Sequence, residues 1–507
     1  MFRRRIPGRD GTRPAAVAGM FYPAGAAELR GQVERLLADA PLAAPPPGAH
    51  APRALILPHA GYVYSGAVAA SGYRLIDAGA FRRAVVIGPA HRVPVRGVAD
   101  AGAAAFDTPL GSVEVPEGLR ETLRGRLAGT FPDLLVTAPG VHAREHSVEV
   151  HLPFLQVLAP ELPVLPLVAG DATVAEMTEL VTAVLADADT LLIVSSDLSH
   201  FLPVDEAVAV DSDTLEKIVA LEAPLPPRSA CGAIPINGLL GFARCAGWAA
   251  TVVDRATSAD IPNGDPTRVV GYPAVRFDPV GPRLPDYARA VLEHRLAGGP
   301  DPAERFADLV RHPWLGAPGA SFVTLTVGGR LRGCIGSLAA HRELGADVAH
   351  NAIGAALHDP RFRDVTADEL PGIRIGVSVL TAPVDVDVAS EADAIAALRP
   401  HVDGAILAGA PIGGGSGAGS GAGSGAGSGA GSGAGSGVAE RRGTFLPQVW
   451  DQLPDPTAFV RGLKAKAGLV RSPDSPDWGD DWRLSRYTVD SWEERDDHSP
   501  EEGAGSR

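Results

Sequence analysis

Residues 55–66 read LILPHAGYVYSG, and this stretch decides the fold. The apolar run from Ala54 to Leu57 is typical of a buried strand, which stops at Pro58 and leaves His59 directly beyond its end. In open α/β sheets, ligands bind outside the carboxyl ends of the strands. The stretch therefore predicts a sheet whose functional residues stand at strand ends.

Two further apolar runs end in a histidine in the same way. Residues 84–90 read AVVIGPA and are followed by His91, and residues 191–199 read LLIVSSDLS and are followed by His200. A lone histidine is usually a core or surface residue, but a repeated placement predicts three imidazoles at one rim of the sheet. Neutral imidazole is a common metal ligand and the general base best suited to neutral pH.

Composition limits the class of protein. The chain has 507 residues, which is too long for one core and indicates two or three domains. Its formal net charge of -15 argues against nucleic acid or an anionic membrane surface as the main partner. No apolar run reaches the roughly 18 residues of a membrane span. The basic start of the chain is not followed by an apolar segment, so we do not interpret it as a secretory signal.

The chain has three cysteines, Cys231, Cys245 and Cys334. A sparse, odd set in a long chain does not indicate a disulfide framework. We therefore expect a reducing, cytoplasmic location.

Strands and helices alternate through the first half of the chain. Apolar periodicity predicts a fold of the α/β class with a mostly parallel sheet covered on both faces, closing near residues 269–277. Signals are weak up to about Pro139. The predicted helices are 27–38, 67–78, 149–158 and 177–186, and the predicted strands are 54–58, 84–88, 164–168 and 190–195.

The pattern changes after a linker at residues 278–285. Residues 321–327 alternate, Gly328-Gly329 makes a turn, and residues 330–336 return, which predicts a hairpin. Residues 373–379 also alternate. This part is predicted to be an α+β domain.

The domain boundaries follow from composition. Residues 413–437 contain only glycine, serine and alanine, and we interpret them as a flexible low-complexity insertion at a loop tip. The acidic tail is predicted to be disordered, as is the start of the chain. The predicted segments are a disordered start 1–12, a first domain 13–280, a second domain 284–492 and a disordered tail 493–507.

Two polar segments complete the candidates in the first domain. Asp197 lies three residues before His200 and can ligate a metal, orient a histidine or cap a helix. Residues 144–151 read REHSVEVH, which is similar to HExxH only superficially, so we predict no zinc-protease site there. His142 is expected at the surface.

The cysteines allow both chemical and structural interpretations. Cys231 and Cys245 can each be apolar filler. Cys334 lies between glycines in the sequence LRGCIGS, where Arg332 could lower the thiol pKa, or where the side chain simply packs.

At these residues the chain resembles two known families joined end to end. Residues 13–277 resemble the Memo family in MFYPA, LPHAGYVYSG, GPAH, EHSVEVHLPFL, SSDLSHF and the CGAIPI segment after Arg228. Residues 284–492 resemble the AMMECR domain family in LRGCIGS, HDPRF, DELPGIRIGVSVL, DGAIL, GTFLPQVW and WRLSRYTV. The pair resembles proteins B and A of the AmmeMemoRadiSam system, whose third component is a radical-SAM protein; here both are one fusion protein.

The resemblance implies a fold and a site. The Memo family is similar in fold to class III extradiol dioxygenases, which bind iron through two histidines and a carboxylate and use another histidine as acid and base. Carried over by motif, His59 and His91 are metal ligands, Cys231 takes the third position and His200 is the extra histidine. A thiolate in that position departs from the dioxygenases and favours copper(I), zinc or iron.

Three hypotheses follow. The first is a redox or dioxygenase-like metalloenzyme with one iron or copper per chain, in which His200 and Asp197 act in catalysis. The second is a non-catalytic metal- or peptide-binding interaction module, with a small molecule or peptide in the Memo pocket. The third has both halves serving a radical-SAM protein, with Cys334 carrying an intermediate.

Overall fold

The structure of the chain is a computed structural model. Internal contacts divide it into two compact units, Met1–Pro282 and Arg283–Arg507. Within the part of the chain that is described, no helix is both long and apolar enough to cross a membrane. The described residues are 11–41, 51–226, 228–411, 441–470, 472 and 475–494.

The first unit alternates strands with helices, as the apolar periodicity predicts. Its strands are β1 Thr12–Arg13, β2 Ala54–Leu57, β3 Arg83–Pro89, β4 Val98–Asp100, β5 Ala105–Thr108, β6 Gly111–Glu114, β7 Leu135–Thr137, β8 Val164–Ala169, β9 Thr190–Ser195, β10 His200–Leu202, β11 Trp248–Thr257 and β12 Val269–Pro279. Its helices are α1 Ala26–Asp39, α2 Tyr62–Tyr73, α3 Glu117–Leu127, α4 Pro139–His142, α5 Leu152–Leu158, α6 Val174–Leu185, α7 Val204–Val219 and α8 Ala233–Ala246, with a 3-10 turn at Glu149–His151.

A nine-stranded sheet organises the described residues of this unit. Its order is β10–β12–β2–β9–β3–β8–β4–β7, with β11 paired to β12. The central strands β2, β9, β3 and β8 are parallel, whereas β12 and β4 join them antiparallel. The sheet is therefore mixed, and the predicted parallel arrangement describes its centre. Strands β2, β8 and β9 are buried along their whole length, which explains their unbroken apolar sequences.

Two parts of this unit differ from the sequence prediction. Helix α2 begins at Tyr62 rather than at residue 67. The Tyr62 side chain is buried and its hydroxyl donates to the Val150 carbonyl, which anchors the first turn of the helix. The stretch before Pro139, which carries weak signals, contains the short strands β4–β7 and helix α3. Strands of three or four residues are too short to show a period.

A buried ion pair links the segment around Arg13 to the loop around Glu149, which also carries residues of the candidate site. Arg13 pairs with Glu149, and both side chains are buried. Glu149 also accepts hydrogen bonds from the Tyr22 hydroxyl and from the backbone N–H groups of Ala16 and Val17. A buried carboxylate needs such compensation, so this network fixes the path of the residues around Glu149.

The second unit has the predicted α+β composition. Its strands are β13 Pro318–Val327, β14 Arg330–Gly336, β15 Arg342–Glu343, β16 Arg374–Leu380, β17 Val384–Val386, β18 Gly404–Gly409, β19 Arg441–Phe445, β20 Arg483–Tyr487 and β21 Val489–Glu493. Its helices are α9 Leu284–Ala297, α10 Pro302–Arg305, α11 Ala307–Val310, α12 Pro313–Gly316, α13 Leu344–Leu357, α14 Glu391–Ala397 and α15 Pro456–Lys466.

Two sheets are present among the described residues of the second unit. One has the order β14–β13–β16–β21 with β15 paired to β13, and the other the order β17–β20–β18–β19. The predicted hairpin is confirmed, because β13 and β14 pair across Gly328 and Gly329, which have φ of 55° and 75°. Only glycine adopts such angles at low cost.

The predicted segment ends need small corrections. Thr12 pairs with Ala105 in β1, and Glu493 pairs with Gly376 in β21, so neither belongs to a disordered end. Residues 1–10, 413–437 and 495–507, which carry the rest of those predictions, lie outside the described residues. On either side of the insertion, β18 and β19 pair antiparallel, with Gly409 opposite Arg441.

Candidate metal centre

His59 and His91 meet at one edge of the sheet, as their placement predicts. His59 lies two residues beyond β2, and His91 lies two residues beyond β3. Both strands pair in parallel with β9, so their carboxyl ends point to the same rim. The two imidazole rings are 5.1 Å apart between centroids.

The third imidazole at this rim is His146, which the sequence reasoning missed. Its ring stacks on His91 with a centroid distance of 4.8 Å and lies 5.4 Å from the ring of His59. One ligand atom from each of the three lies within 4.8 Å of the other two. These residues form the histidine cluster, His59, His91 and His146. The REHSVEVH segment does not have the order of a helical HExxH motif, yet its His146 reaches the site from a loop.

A serine fixes which nitrogen of His59 faces the cluster. Ser195 Oγ donates to the Ser147 carbonyl and lies 2.6 Å from His59 Nδ1. A hydroxyl has one hydrogen, so His59 Nδ1 must donate to Ser195 Oγ. The lone pair of His59 is therefore on Nε2.

One buried carboxylate orients the other two rings. Glu145 Oε1 lies 3.0 Å from His91 Nδ1 and 3.3 Å from His146 Nδ1. The same carboxylate accepts the backbone N–H groups of His91, His146 and Ser147. Burial opposes its ionisation, but the hydrogen bonds from His146, His91 and Ser147 outweigh burial and hold the pKa of Glu145 well below its usual range. Glu145 thus leaves Nε2 of each ring free.

Electrostatics keep the innermost imidazole neutral. Burial, followed by the neighbouring imidazoles of His91 and His146, lowers the pKa of His59 well below its ordinary value. A neutral imidazole with a free nitrogen is the form that binds a metal.

Cys231 lies against His59. Its Sγ is 3.3 Å from His59 Nε2 and accepts the backbone N–H of Asp197 at 3.3 Å. Burial, and then the charge of Asp197, raises the pKa of the Cys231 thiol to about 12. Cys231 is outside the mutually close group of three imidazoles, so the structure brings it to the first predicted ligand but not into the cluster itself.

The contacts of the next residue show why a glycine follows the cysteine. A Cβ on Gly232 would lie 2.6 Å from Ser196 Cβ and 2.7 Å from the Ser195 carbonyl oxygen. Only glycine lets the chain of Cys231 approach the end of β9 this closely.

Asp197 orients the site and does not cap a helix. Its Oδ1 accepts the backbone N–H of His59 at 2.8 Å, and its Oδ2 lies 3.9 Å from His59 Nε2. Burial raises the pKa of Asp197 to about 6. Helix α7 starts at Val204 after Pro203 without a side-chain cap, so the capping interpretation is wrong.

His200 stands apart from the histidine cluster. It begins β10, five residues after the end of β9, and its Nδ1 lies 2.8 Å from the Leu198 carbonyl oxygen. That bond leaves Nε2 free on a half-buried ring. The predicted rim of three strand-end histidines therefore contains His59 and His91, with His146 in the place expected for His200.

Two histidines near the site are structural. His142, expected at the surface, is fully buried, and its Nε2 donates to the Ala99 carbonyl at 2.9 Å. Burial lowers the pKa of His142 to about 4. His151 is also buried, with Nδ1 2.8 Å from the Tyr73 hydroxyl, and burial lowers its pKa to about 3.

In the second unit, Cys334 lies in the middle of β14. Its sulfur accepts from Thr324 Oγ1 at 3.4 Å, and its backbone N–H donates to Asp359. Arg332 does not approach the thiol as proposed, because its guanidinium donates to Glu369 and to backbone carbonyls. Cys245, interpreted as buried filler, is exposed on α8.

The donor set of the first unit fits a transition metal. One nitrogen from each of three imidazoles faces the others, and hydrogen bonds from the rings to Ser195 and Glu145 fix their orientation from behind. Imidazole suits zinc, copper and iron, and a carboxylate or hydroxyl behind each ligand is typical of metal sites. A thiol beside His59 adds a soft donor.

Fold and site together define a mixed α/β protein with a histidine-rich candidate metal centre. Residues 13–276 match the model of the family described as Memo-like protein, and residues 285–492 match the AMMECR1 model. The chain belongs to the Memo family and carries an AMMECR1 domain in the same polypeptide, as the sequence motifs predicted.

Relatives from distant organisms match the first half. A MEMO1 family protein of Methanopyrus kandleri is 34% identical over 284 residues, covering 52% of this chain and 98% of the relative. One from Aquifex aeolicus is 33% identical over 277 residues, covering 52% and 98%. A crystal structure of an uncharacterized protein from Pyrococcus horikoshii is 25% identical and covers 42% of this chain and 91% of its own, with a TM-score of 0.32.

Proposed function

We propose that the first unit binds one redox-active metal ion, iron or copper, and is a metalloenzyme. The observation that carries this proposal is the convergence of His59, His91 and His146 within 4.8 Å, with the outer nitrogens engaged by Ser195 and Glu145. Holding the rings in this way requires buried polar groups that accept hydrogen bonds from them. An imidazole with only a structural role does not require this orientation.

The ligand set has two versions. His59 and His91 belong to both, and either His146 or Cys231 is the third ligand. Three protein ligands leave room for a small molecule, as in catalytic metal sites. Bound there, iron or copper would supply one-electron redox chemistry and a Lewis-acidic position for that molecule.

The remaining residues of the rim have separate tasks. Asp197 holds the backbone of His59 and the sulfur of Cys231, so it positions both donors. His200 follows Asp197 by three residues, has a free Nε2 and is proposed to accept or give the proton. The similarity of the Memo family to class III extradiol dioxygenases supports a dioxygenase-like fold and reaction class.

The fusion supports a role beside a radical-SAM partner. Joining two components in one chain fixes their ratio and raises their effective concentration, and the resemblance to the AmmeMemoRadiSam system motivates the partner. Cys334 is the residue of the second unit proposed to carry or receive an intermediate. Three free cysteines support a reducing, cytoplasmic setting.

The test is elemental analysis and metal titration of anaerobically purified protein. We expect about one iron or copper per chain, lost in His59→Ala and in His91→Ala and kept in the control His341→Ala, whose imidazole is exposed in the second unit. Comparison of His146→Ala with Cys231→Ser identifies the third ligand by which variant loses metal.

Either of two results would overturn the proposal. Wild-type protein that contains no metal and refuses reconstitution would leave the histidine cluster as a binding pocket. Protein that binds metal but neither consumes oxygen nor cycles between oxidation states would be a binding module, the alternative that the sequence left open.

A further inference from the structure

A cavity is lined by residues of the chain segments that also carry Asp197 and Cys231, and none of its lining residues belongs to the histidine cluster. Its volume is about 570 Å³, within the usual range of small-molecule sites. It lies between β10, α7 and the segment that precedes Cys231. Its walls combine apolar side chains, Leu202, Val210 and Pro226, with polar ones, His200 and Arg228.

Arg228, which is exposed, contributes a positive charge to the lining of this cavity. Among the described residues its guanidinium has no hydrogen-bond or ion-pair partner, although the chain is strongly acidic. The acid in the lining, Asp213, is paired with Lys217 on α7. The hydroxyls of Thr214 and Ser229 donate to the carbonyls of their own segments. The five N–H donors of Arg228 are therefore available to a ligand.

His200 supplies a second polar group. Because its Nδ1 is engaged by the Leu198 carbonyl, Nε2 is the atom that a ligand can reach. The following residue, Phe201, has φ of 63°, which is unusual for a bulky side chain. The Phe201 side chain is largely exposed, and the Arg268 guanidinium lies over its ring, 4.3 Å from the ring centroid. Strained backbone of this kind concentrates at functional sites.

The cavity and the metal centre share two short chain segments. Ser229 is two residues before Cys231, and His200 is three residues after Asp197. The Cys231 backbone N–H donates to the Asp197 carbonyl at 3.2 Å, which ties the segments together. A ligand in the cavity therefore contacts the same two segments that position the sulfur and His59.

We propose that this cavity binds an organic anion with an apolar body, whose carboxylate or phosphate pairs with Arg228, and that such anions are the substrate class of the metal centre. Arginine binds both groups through its planar fork. The apolar wall takes the body of the ligand, and His200 Nε2 meets its polar edge. The substrate assignment rests on the function proposed above, but anion binding itself does not.

The test is calorimetric titration of the full chain with benzoate, phenyl phosphate and the uncharged control benzamide. We expect one or both anions to bind, benzamide to bind at least about tenfold more weakly, and Arg228→Gln to weaken anion binding at least about tenfold. The control Arg244→Gln removes an exposed charge from α8 in the same unit and is expected to change nothing. The stronger of the two anions distinguishes carboxylate from phosphate.

Equal binding of benzamide and the anions, or unchanged binding in Arg228→Gln, would overturn the anion site. Metal-free and metal-loaded protein are titrated in parallel. Anion affinity that differs between them supports the substrate assignment, and equal affinities overturn it. Anion binding by protein that cannot be loaded with metal would refute the proposed metalloenzyme and leave the anion site standing.

Discussion

The histidine cluster and Cys334 are opposite ways of presenting a reactive side chain. The cluster stands beyond the ends of β2 and β3, where the chain turns and no ladder hydrogen bonds constrain it. Cys334 sits inside β14, paired with Thr324 of β13. At the strand ends, the buried Glu145 accepts hydrogen bonds from the side chains of the cluster. At Cys334, the nearby acid Asp359 accepts the backbone N–H of the cysteine instead.

The difference teaches how to interpret glycines around a reactive residue. Gly333 and Gly336 flank Cys334, and small residues beside a thiol can be interpreted as room for the close approach of another group. A Cβ on Gly333 would lie 2.1 Å from the Ala355 carbonyl oxygen of α13, and one on Gly336 would lie 2.2 Å from the Phe322 ring. These glycines are needed for packing within the second unit, so they do not by themselves indicate a site.

The largest effect is expected from Glu145→Gln. The Glu145 carboxylate accepts hydrogen bonds from two imidazoles and three backbone N–H groups. In the amide of the variant, an NH2 group replaces one of the accepting oxygens. Metal affinity should fall about 10- to 100-fold, and the free energy of unfolding by about 3 kcal/mol. Metal titration and urea unfolding measure both, with Glu121→Gln, exposed on α3, as the control. Unchanged metal affinity would show that the rings are not held for a metal.

The second expected effect is a dependence of stability on pH that belongs to the first unit. His142 takes a proton near pH 4 when folded and near about 6.5 when unfolded. Between these values the unfolded chain binds more protons, so stability falls as the pH is lowered, by roughly 3 kcal/mol for this residue. Urea unfolding of metal-free protein from pH 7 to pH 4 should show a shallower slope in His142→Gln. Equal slopes in the wild type and in His142→Gln would contradict the lowered pKa of the buried His142.

A third, smaller effect tests the packing explanation for the glycines. Gly333→Ala should destabilise the second unit by about 2 kcal/mol, because the carbonyl of Ala355 cannot yield easily. The control Gly372→Ala has no neighbour within 4 Å of the added Cβ. Tryptophan fluorescence during urea unfolding reports mainly this unit, since Trp248 alone of the six tryptophans lies in the first. Equal stability of the two variants would restore access as the reason for Gly333.

The smallest effect separates the cysteines by reactivity. In metal-free protein, Cys231 should be alkylated at least about tenfold more slowly than Cys245, because burial raises the pKa of Cys231 to about 12 while Cys245 is exposed. Peptide mass spectrometry after timed iodoacetamide treatment gives the rates. Cys334 is half-buried and is expected between them; complete resistance would remove it as a carrier of intermediates.

The sequence predicted the elements with strong apolar signals and missed the short ones. Buried parallel strands such as β3 and β9 are nearly continuous apolar runs, so their positions and their trailing histidines were visible. Strands β4–β7 contain three or four residues each; β4 pairs with β7 and β8, which are distant in sequence, whereas β5 and β6 form a short hairpin with each other. The antiparallel joins of β12 and β4 are likewise long-range and leave no local pattern.

For the site, strand ends predicted His59 and His91, but not the loop that supplies His146. A signal was present: EHSVE places two carboxylates around a histidine, and Glu145 and Glu149 both prove to be buried hydrogen-bond acceptors. His200 was placed at the rim because it follows an apolar run. Its ring is held by Leu198 instead, since four residues separate it from the end of β9.

The single hydrogen of Ser195 has a consequence for how the site fills. Because His59 keeps its own hydrogen on Nδ1 and burial lowers its pKa, the Nε2 atom of this ring enters metal binding without a proton that would compete. Loading that includes the sulfur of Cys231 would release the hydrogen ion of its thiol in addition to any released by the rings, so the acid released by the wild type, compared with that released by Cys231→Ser, reports whether the sulfur took part.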